Sequence, residues 1–203
     1  MTSFRIHSAE FLKCCGTVEQ FPKSQLPEIA MVGRSNVGKS SAINCLLNRN
    51  GLAKVGKIPG KTQTINFYRV ETNQGPFELV DLPGYGFAKV PDRIQKQWVP
   101  LIEQFFQTRD NLRGVVLLVD VRRVQEQDRR MLQWLEHLHI PYVVVATKAD
   151  KVARGKQPAA IQDLQENLDI PIPPLLLSAH SGDGKQLVLD EILSLLGTRT
   201  SRR

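Results

Sequence analysis

The most concentrated chemistry in this chain lies in one stretch, Gly33-Arg34-Ser35-Asn36-Val37-Gly38-Lys39-Ser40-Ser41. Gly33 and Gly38 permit backbone angles that a Cβ would forbid, so successive N–H groups can turn inward on a polyphosphate. Lys39 is spaced to reach the β- and γ-phosphates, and the Ser40 hydroxyl can ligate a Mg²⁺ that bridges them. The apolar run Ile29-Ala30-Met31-Val32 comes before the loop, and Ala42-Ile43-Asn44-Cys45-Leu46-Leu47 comes after it. That order reads as strand, glycine loop and helix start, and the helix dipole favours an anion at that end. A glycine turn with a stray lysine would need neither flank.

Four more polar clusters follow. Asp81-Leu82-Pro83-Gly84 closes an apolar run; its carboxylate can hold Mg²⁺ through water, and nothing on Gly84 blocks its amide from a γ-phosphate. Thr62 lies in Gly60-Lys61-Thr62-Gln63, where a threonine could complete the metal shell and order its loop in the triphosphate state. Thr64 is the competing candidate. Thr147-Lys148-Ala149-Asp150 ends another apolar run; the Asp150 carboxylate can accept hydrogen bonds from the N1–H and 2-amino groups of guanine, which adenine lacks there. Lys148 can lay its alkyl stem along the base. Ser178-Ala179-His180 can present a backbone N–H to the guanine O6, with His180 itself read as a solvated neighbour rather than a ligand.

The elements that must position these clusters are legible as an alternation. Phe4-Arg5-Ile6 reads as a short strand and Ala9 to Cys15 as a loop or helical turn, with Pro22 and Pro27 as punctuation. Strand Ile29 to Val32 feeds the phosphate loop and a helix to about Asn48, stopped at Asn50-Gly51. Gly51 to Lys61 is glycine-rich and basic, which predicts a mobile loop. Thr64 to Glu71 and Phe77 to Val80 read as a hairpin turning at Asn73-Gln74-Gly75, giving an antiparallel pair at one edge of the sheet. Helices are expected from Arg93 to Gln107, Gln125 to Leu138, Pro158 to Leu168 and Leu187 to Leu196. Strands are expected over Gly114 to Asp120, Tyr142 to Ala146 and Leu175 to Leu177. Continuous Val/Leu strands between helices predict an α/β fold with a mainly parallel sheet covered on both faces, and ligands at its carboxyl ends.

A chain of 203 residues with 41% hydrophobic and 23% charged residues suits one folded domain and argues against wholesale disorder. We expect that domain to cover residues 1–197, with a core of 28–197, residues 1–27 packed on it, and a frayed tail at 198–203. No apolar run is long enough to span a bilayer and the start lacks a signal peptide's apolar core, which predicts a cytoplasmic protein. Cys14, Cys15 and Cys45 lack metal-ligand or disulfide spacing and read as reduced. The net charge of +7 suggests a polyanionic partner, nucleic acid before membrane.

The motifs G-R-S-N-V-G-K-S-S, P-G-K-T-Q, D-L-P-G-Y-G, T-K-A-D and S-A, in this order, resemble the EngB (YihA/YsxC) group of the TrmE-Era-EngA-YihA-Septin-like GTPases, from about Ala9 to Leu196. Threonine rather than asparagine at Thr147 is one mark of that group. The resemblance implies a Ras-like three-layer fold with a mostly parallel six-stranded sheet and one antiparallel edge strand. It implies GTP/GDP and Mg²⁺ binding, slow GTP hydrolysis, a role in assembly of the bacterial large ribosomal subunit and its rRNA, and association with normal cell division and septation. Carried over by motif, the nucleotide contacts are Gly33 to Ser40 with Ser41 beside them, Gly60 to Thr64, Asp81 to Gly84, Thr147 to Asp150 and Ser178 to His180. Mg²⁺ falls on Ser40 and Thr62, with Asp81 acting through water. A monomer without a membrane partner is expected.

Ras-like enzymes place a glutamine after D-x-x-G to orient the attacking water, and this chain has Tyr85 there. A phenol cannot do that job by the same geometry, so intrinsic hydrolysis should be slow; Lys39, Asn36 and Gly84 are the groups expected at the reacting phosphate. Resemblance to cation-dependent relatives suggests that Asn36 helps bind K⁺, which would supply charge where an arginine finger is lacking. A P-loop kinase would share Gly33 to Ser40 but has no use for T-K-A-D. A membrane-linked scaffold would need an amphipathic or lipidated anchor, and none is legible.

Overall fold

Every strand but the first lies where the apolar runs predict one. A computed structural model of the chain describes residues 4–54, 64–85 and 92–197, the side chains of 92–99 excepted. Its strands are β1 (Ile6–Cys15), β2 (Glu28–Gly33), β3 (Ile65–Thr72), β4 (Phe77–Asp81), β5 (Leu112–Asp120), β6 (Tyr142–Thr147) and β7 (Leu175–Leu177). The helices are α1 (Lys39–Leu46), α2 (Asp92–Thr108), α3 (Glu126–His137), α4 (Gln157–Leu168) and α5 (Lys185–Gly197). One sheet has the order β1-β3-β4-β2-β5-β6-β7. The pairs from β4 through β7 are parallel, while β1–β3 and β3–β4 are antiparallel.

The sheet has seven strands rather than six, and the difference lies at its edge. Ile6 to Cys15, expected as a short strand and then a loop or turn, is a ten-residue strand along β3, with register shifts after Ile6 and Phe11. Within it only Ala9 and Cys15 are buried. Its conformation therefore rests on backbone hydrogen bonds to β3 rather than on an apolar face. The β3–β4 hairpin accordingly lies one strand in from the edge.

Alternate residues of the central strands feed two layers, because successive Cβ atoms point to opposite faces. Ala30, Val32, Val115 and Leu117 pack with Leu101, Phe105 and Phe106 of α2, Leu132 and Leu135 of α3, and Leu164 and Leu168 of α4. Ile29, Met31, Val116 and Leu118 pack with Ala42, Ile43 and Leu46 of α1 and Val188, Leu189 and Ile192 of α5. Each fully buried Leu or Phe of this kind stabilises the fold by about 1.5–3 kcal/mol relative to exposure. The segment before β2 is held to the core by one aromatic residue and one arginine. Phe21 packs on Phe67 and Phe105 at 5.8 and 6.0 Å between ring centroids. The Arg109 guanidinium pairs with the buried Glu28 carboxylate and donates to the Pro22 carbonyl at 2.9 Å. Among the described residues no helix is long and apolar enough to cross a membrane.

Candidate functional site

The loop after β2 reaches α1 through two residues in the left-handed region, Asn36 at φ +61° and Gly38 at φ +102°. An asparagine tolerates that conformation at a modest cost and a glycine at almost none. The buried Val37 side chain anchors the loop between them, and its N–H donates to the Arg34 carbonyl at 3.1 Å. α1 then begins at Lys39, so the N–H groups of its first turn have no intrahelical acceptor and point at whatever lies before the helix.

Parallel pairing of β2 and β4 sets Asp81 beside Met31, and there its carboxylate pairs with the Lys39 ammonium. The next residues follow the phosphate loop closely. Leu82 N–H donates to the Met31 carbonyl at 3.2 Å, Tyr85 N–H to Gly33 at 3.3 Å, and Ser35 N–H to the Tyr85 carbonyl at 2.9 Å. Gly84 is needed for this approach, since a Cβ there would stand 3.2 Å from the backbone N and Cα of Ser35. Ser40, Asp81 and the first-turn amides thus offer hard oxygen donors and N–H groups in one place, a donor set suited to a phosphate with Mg²⁺.

Tyr85 is buried, and its phenol donates to Asp128 Oδ1 at 2.8 Å. Asp128 is also the residue whose Oδ2 accepts the Gln125 N–H at 2.9 Å to cap α3. Burial, with the Asp128 charge and hydrogen bond added, pushes the phenol far above its usual range, so it keeps its proton at neutral pH. Arg34 Nε is buried nearby with no hydrogen-bond partner among the described residues.

The second half of the site is set by β6 and β7. Thr147 ends β6, and its hydroxyl lies 2.6 Å from the Val37 carbonyl and 3.0 Å from that of Val119. A hydroxyl has one proton, and the nearer acceptor is in the phosphate loop. Lys148 is itself left-handed, at φ +61°, which turns its side chain back toward that loop. Its ammonium donates to the Asn36 carbonyl at 2.7 Å and to Asp120 Oδ2 at 3.0 Å. Asp150 Oδ1 accepts the Ser178 hydroxyl at 3.0 Å, and Ser178 Oγ accepts the Ser181 N–H at 3.2 Å. Partial burial, which would raise the Asp150 carboxyl, is outweighed by the hydrogen bonds from Ser178 and Lys151, which hold it below its usual value. Asp150 is therefore an ionised acceptor at neutral pH.

A cavity of about 400 Å³ opens between the halves, lined by Gly38, Ser41 and Ala42 from the phosphate side and by Thr147, Lys148, Asp150, Lys151, Leu177, Ala179 and His180 from the other. That is the volume class of a small-ligand site. The expected residues Gly33 to Ser41, Asp81 to Gly84, Thr147 to Asp150 and Ser178 to His180 thus converge on the carboxyl ends of β2, β4, β6 and β7. Thr64 stands just before β3, its hydroxyl 3.4 Å from Asn66 Oδ1. Gly60, Lys61, Thr62 and Gln63, with most of the basic loop, lie outside the described residues, as does the tail 198–203. Sequence reasoning missed Asp120, a buried acid at the carboxyl end of β5, and Lys151, Ala42 and Leu177 in the cavity wall. A lone aspartate closing an apolar strand is the signal that could have drawn attention to Asp120.

A phosphate loop hydrogen-bonded to a second loop able to select the base is the working arrangement of the P-loop GTPases, and this chain is one of them. Residues 28–148 match the family described as 50S ribosome-binding GTPase. A probable GTP-binding protein EngB of Heliobacterium modesticaldum is 47% identical over 189 residues, covering 92% of this chain and 91% of the relative. Its counterpart in Geobacter metallireducens is 51% identical over 161 residues, covering 77% and 78%. A crystal structure of a probable GTP-binding protein EngB superposes with a TM-score of 0.67 at 28% identity, covering 83% of this chain and 98% of that one. The chain belongs to the EngB family of GTP-binding proteins.

Proposed function

We propose that this GTPase works as a switch on the large ribosomal subunit, binding GTP or GDP in the cavity between the phosphate loop and Asp150. The observation that carries the reading is one cavity lined by Gly38 and Ser41 on one side and by Lys148 and Asp150 on the other, with the Lys39–Asp81 pair following Gly38 and Ser178 bonded to Asp150. Asp150 accepts the two guanine donors, the amide beside Ala179 meets O6, and the Lys148 stem covers one face of the base. The N–H groups at the start of α1, from Gly38 to Ser41, with the Lys39 ammonium, hold the phosphates. Ser40 and Thr62 would hold Mg²⁺ directly and Asp81 through water, and the bound ion would supply positive charge at the phosphate oxygens. Hydrolysis is slow, because the phenol of Tyr85 is committed to Asp128 and orients no water. Asn36 is the residue placed to draw K⁺ to the phosphates, and equal turnover in K⁺ and Na⁺ would contradict that assignment.

The ribosomal partner rests on the family description and on a net charge of +7, which suits rRNA. A cytoplasmic monomer that assists subunit assembly, with the division phenotype that the family resemblance implies, is the cellular role we infer. Titration with GTP, GDP and ATP tests the nucleotide part; tight guanine binding with ATP weaker by about a hundredfold or more is expected from the donor pattern. Equal competition by ATP would favour a kinase instead. Cosedimentation with 50S particles, stronger with a GTP analogue than with GDP and weakened by salt, tests the partner; binding indifferent to both would end that reading.

A further inference from the structure

We propose that Asp120 is a positioning residue of the nucleotide site, holding Lys148 across the carbonyl of Asn36 so that the phosphate loop and the base loop keep one spacing. The inference rests on the guanine-nucleotide reading above and concerns a residue outside all of its motifs. Pairing of β5 with β6 places Asp120 directly beside Thr147, so its carboxylate emerges next to Lys148. Asp120 is 4% exposed, and its Oδ2 takes the Lys148 ammonium at 3.0 Å while that ammonium reaches the Asn36 carbonyl at 2.7 Å.

The rest of the carboxylate is already committed. Arg122 Nε and backbone N–H donate to Oδ1 at 2.8 and 3.1 Å, and Arg122 Nη2 to Oδ2 at 2.7 Å. A group satisfied on both oxygens has one rotamer and stays ionised, which makes it a fixed anchor for a flexible lysine. Lys148 has four side-chain torsions and a left-handed backbone; without an anion behind it, the ammonium would sample water and release the Asn36 carbonyl. Since Asn36 precedes Val37 and Gly38, the spacing of the cavity walls depends on that contact. Arg122 bonds both carboxylate oxygens, sharing Oδ2 with Lys148, and with its side chain 53% exposed it serves only to steady Asp120.

The test is a double-mutant cycle read by GDP affinity, with the unfolding midpoint of each variant measured alongside. Asp120→Asn, and Asp120→Ser as a second variant, should weaken GDP by about tenfold or more, the scale of one charged hydrogen bond. In a Lys148→Ala background the same change should cost less than about twofold, because the residue acts through that lysine. Arg122→Ala should stay within about twofold of wild type, since Lys148 keeps its anchor. Wild-type affinity in whichever Asp120 variant folds, or a loss that adds in full to that of Lys148→Ala, would overturn the proposal. An equal loss in Arg122→Ala would do so too, by showing that the Arg122–Asp120 pair rather than the hold on Lys148 sets the affinity. Wild-type protein that fails to prefer GDP over ADP would refute the guanine reading instead, so the two failures are told apart.

Discussion

The hydroxyl of Thr147 stands 2.6 Å from the carbonyl oxygen of Val37, joining the base loop to the phosphate loop across 110 residues of sequence. Both residues are buried, so the carbonyl has no water to turn to if the hydroxyl is lost. An asparagine, with two N–H donors, could serve the carbonyls of Val37 and Val119 together, whereas a threonine serves them one at a time.

Thr147→Val keeps the shape and removes the proton. We expect a loss of about 1–3 kcal/mol in stability, the cost of one unsatisfied buried acceptor, together with weaker binding of GTP and GDP alike. Chemical denaturation and a nucleotide titration on the same preparation check this. Unchanged values in both would mean that the two loops are held together by something else.

Tyr85→Phe separates anchoring from chemistry. Asp128 is 1% exposed and would keep the Gln125 N–H but lose the phenol, which should cost about 1–3 kcal/mol of stability. Turnover at saturating GTP should stay within about twofold, because a protonated phenol bound to Asp128 contributes nothing to the attacking water. A large fall in turnover with unchanged stability would reverse the assignment.

Much of the fold could be read from the amino-acid sequence because the strands that carry the site are continuous apolar runs closed by polar motifs. β7 matches its expected bounds residue for residue, and β6 differs only by including Thr147. β1 could not be read in this way. Its exposed Phe11, Leu12 and Lys13 carry no period-2 pattern, and only the free backbone groups of β3 make it a strand. The same division holds at the site. The residues proposed for phosphate and base contact come from short local runs and are legible as motifs. Asp120 acts on a lysine 28 positions later and Tyr85 on an acid 43 positions later, partnerships that only the folded register creates.

Acid should weaken the fold through Asp120. Burial works to raise this carboxyl, but the hydrogen bonds from Arg122 and Lys148 outweigh it and hold the group well below the usual carboxylate range. A depressed folded value means that the stabilisation is complete above the unfolded value of about 3.9 and is lost as pH falls below it. Urea unfolding of wild type and Asp120→Asn from pH 6 down to pH 3 should give curves that converge as pH falls through that window. Parallel curves would show that the carboxylate carries no such pH-dependent stabilisation.

The central claim is that Asp150 reads the guanine ring within a cavity whose opposite wall is the phosphate loop, and base preference in Asp150→Asn tests it most directly. Titrated with GDP, xanthosine diphosphate and ADP, the variant should bind GDP at least about tenfold more weakly than wild type and gain affinity for the xanthine nucleotide, whose 2-oxo group accepts the new amide N–H. A variant that retains the wild-type order, with GDP bound as tightly as before, would contradict the claim.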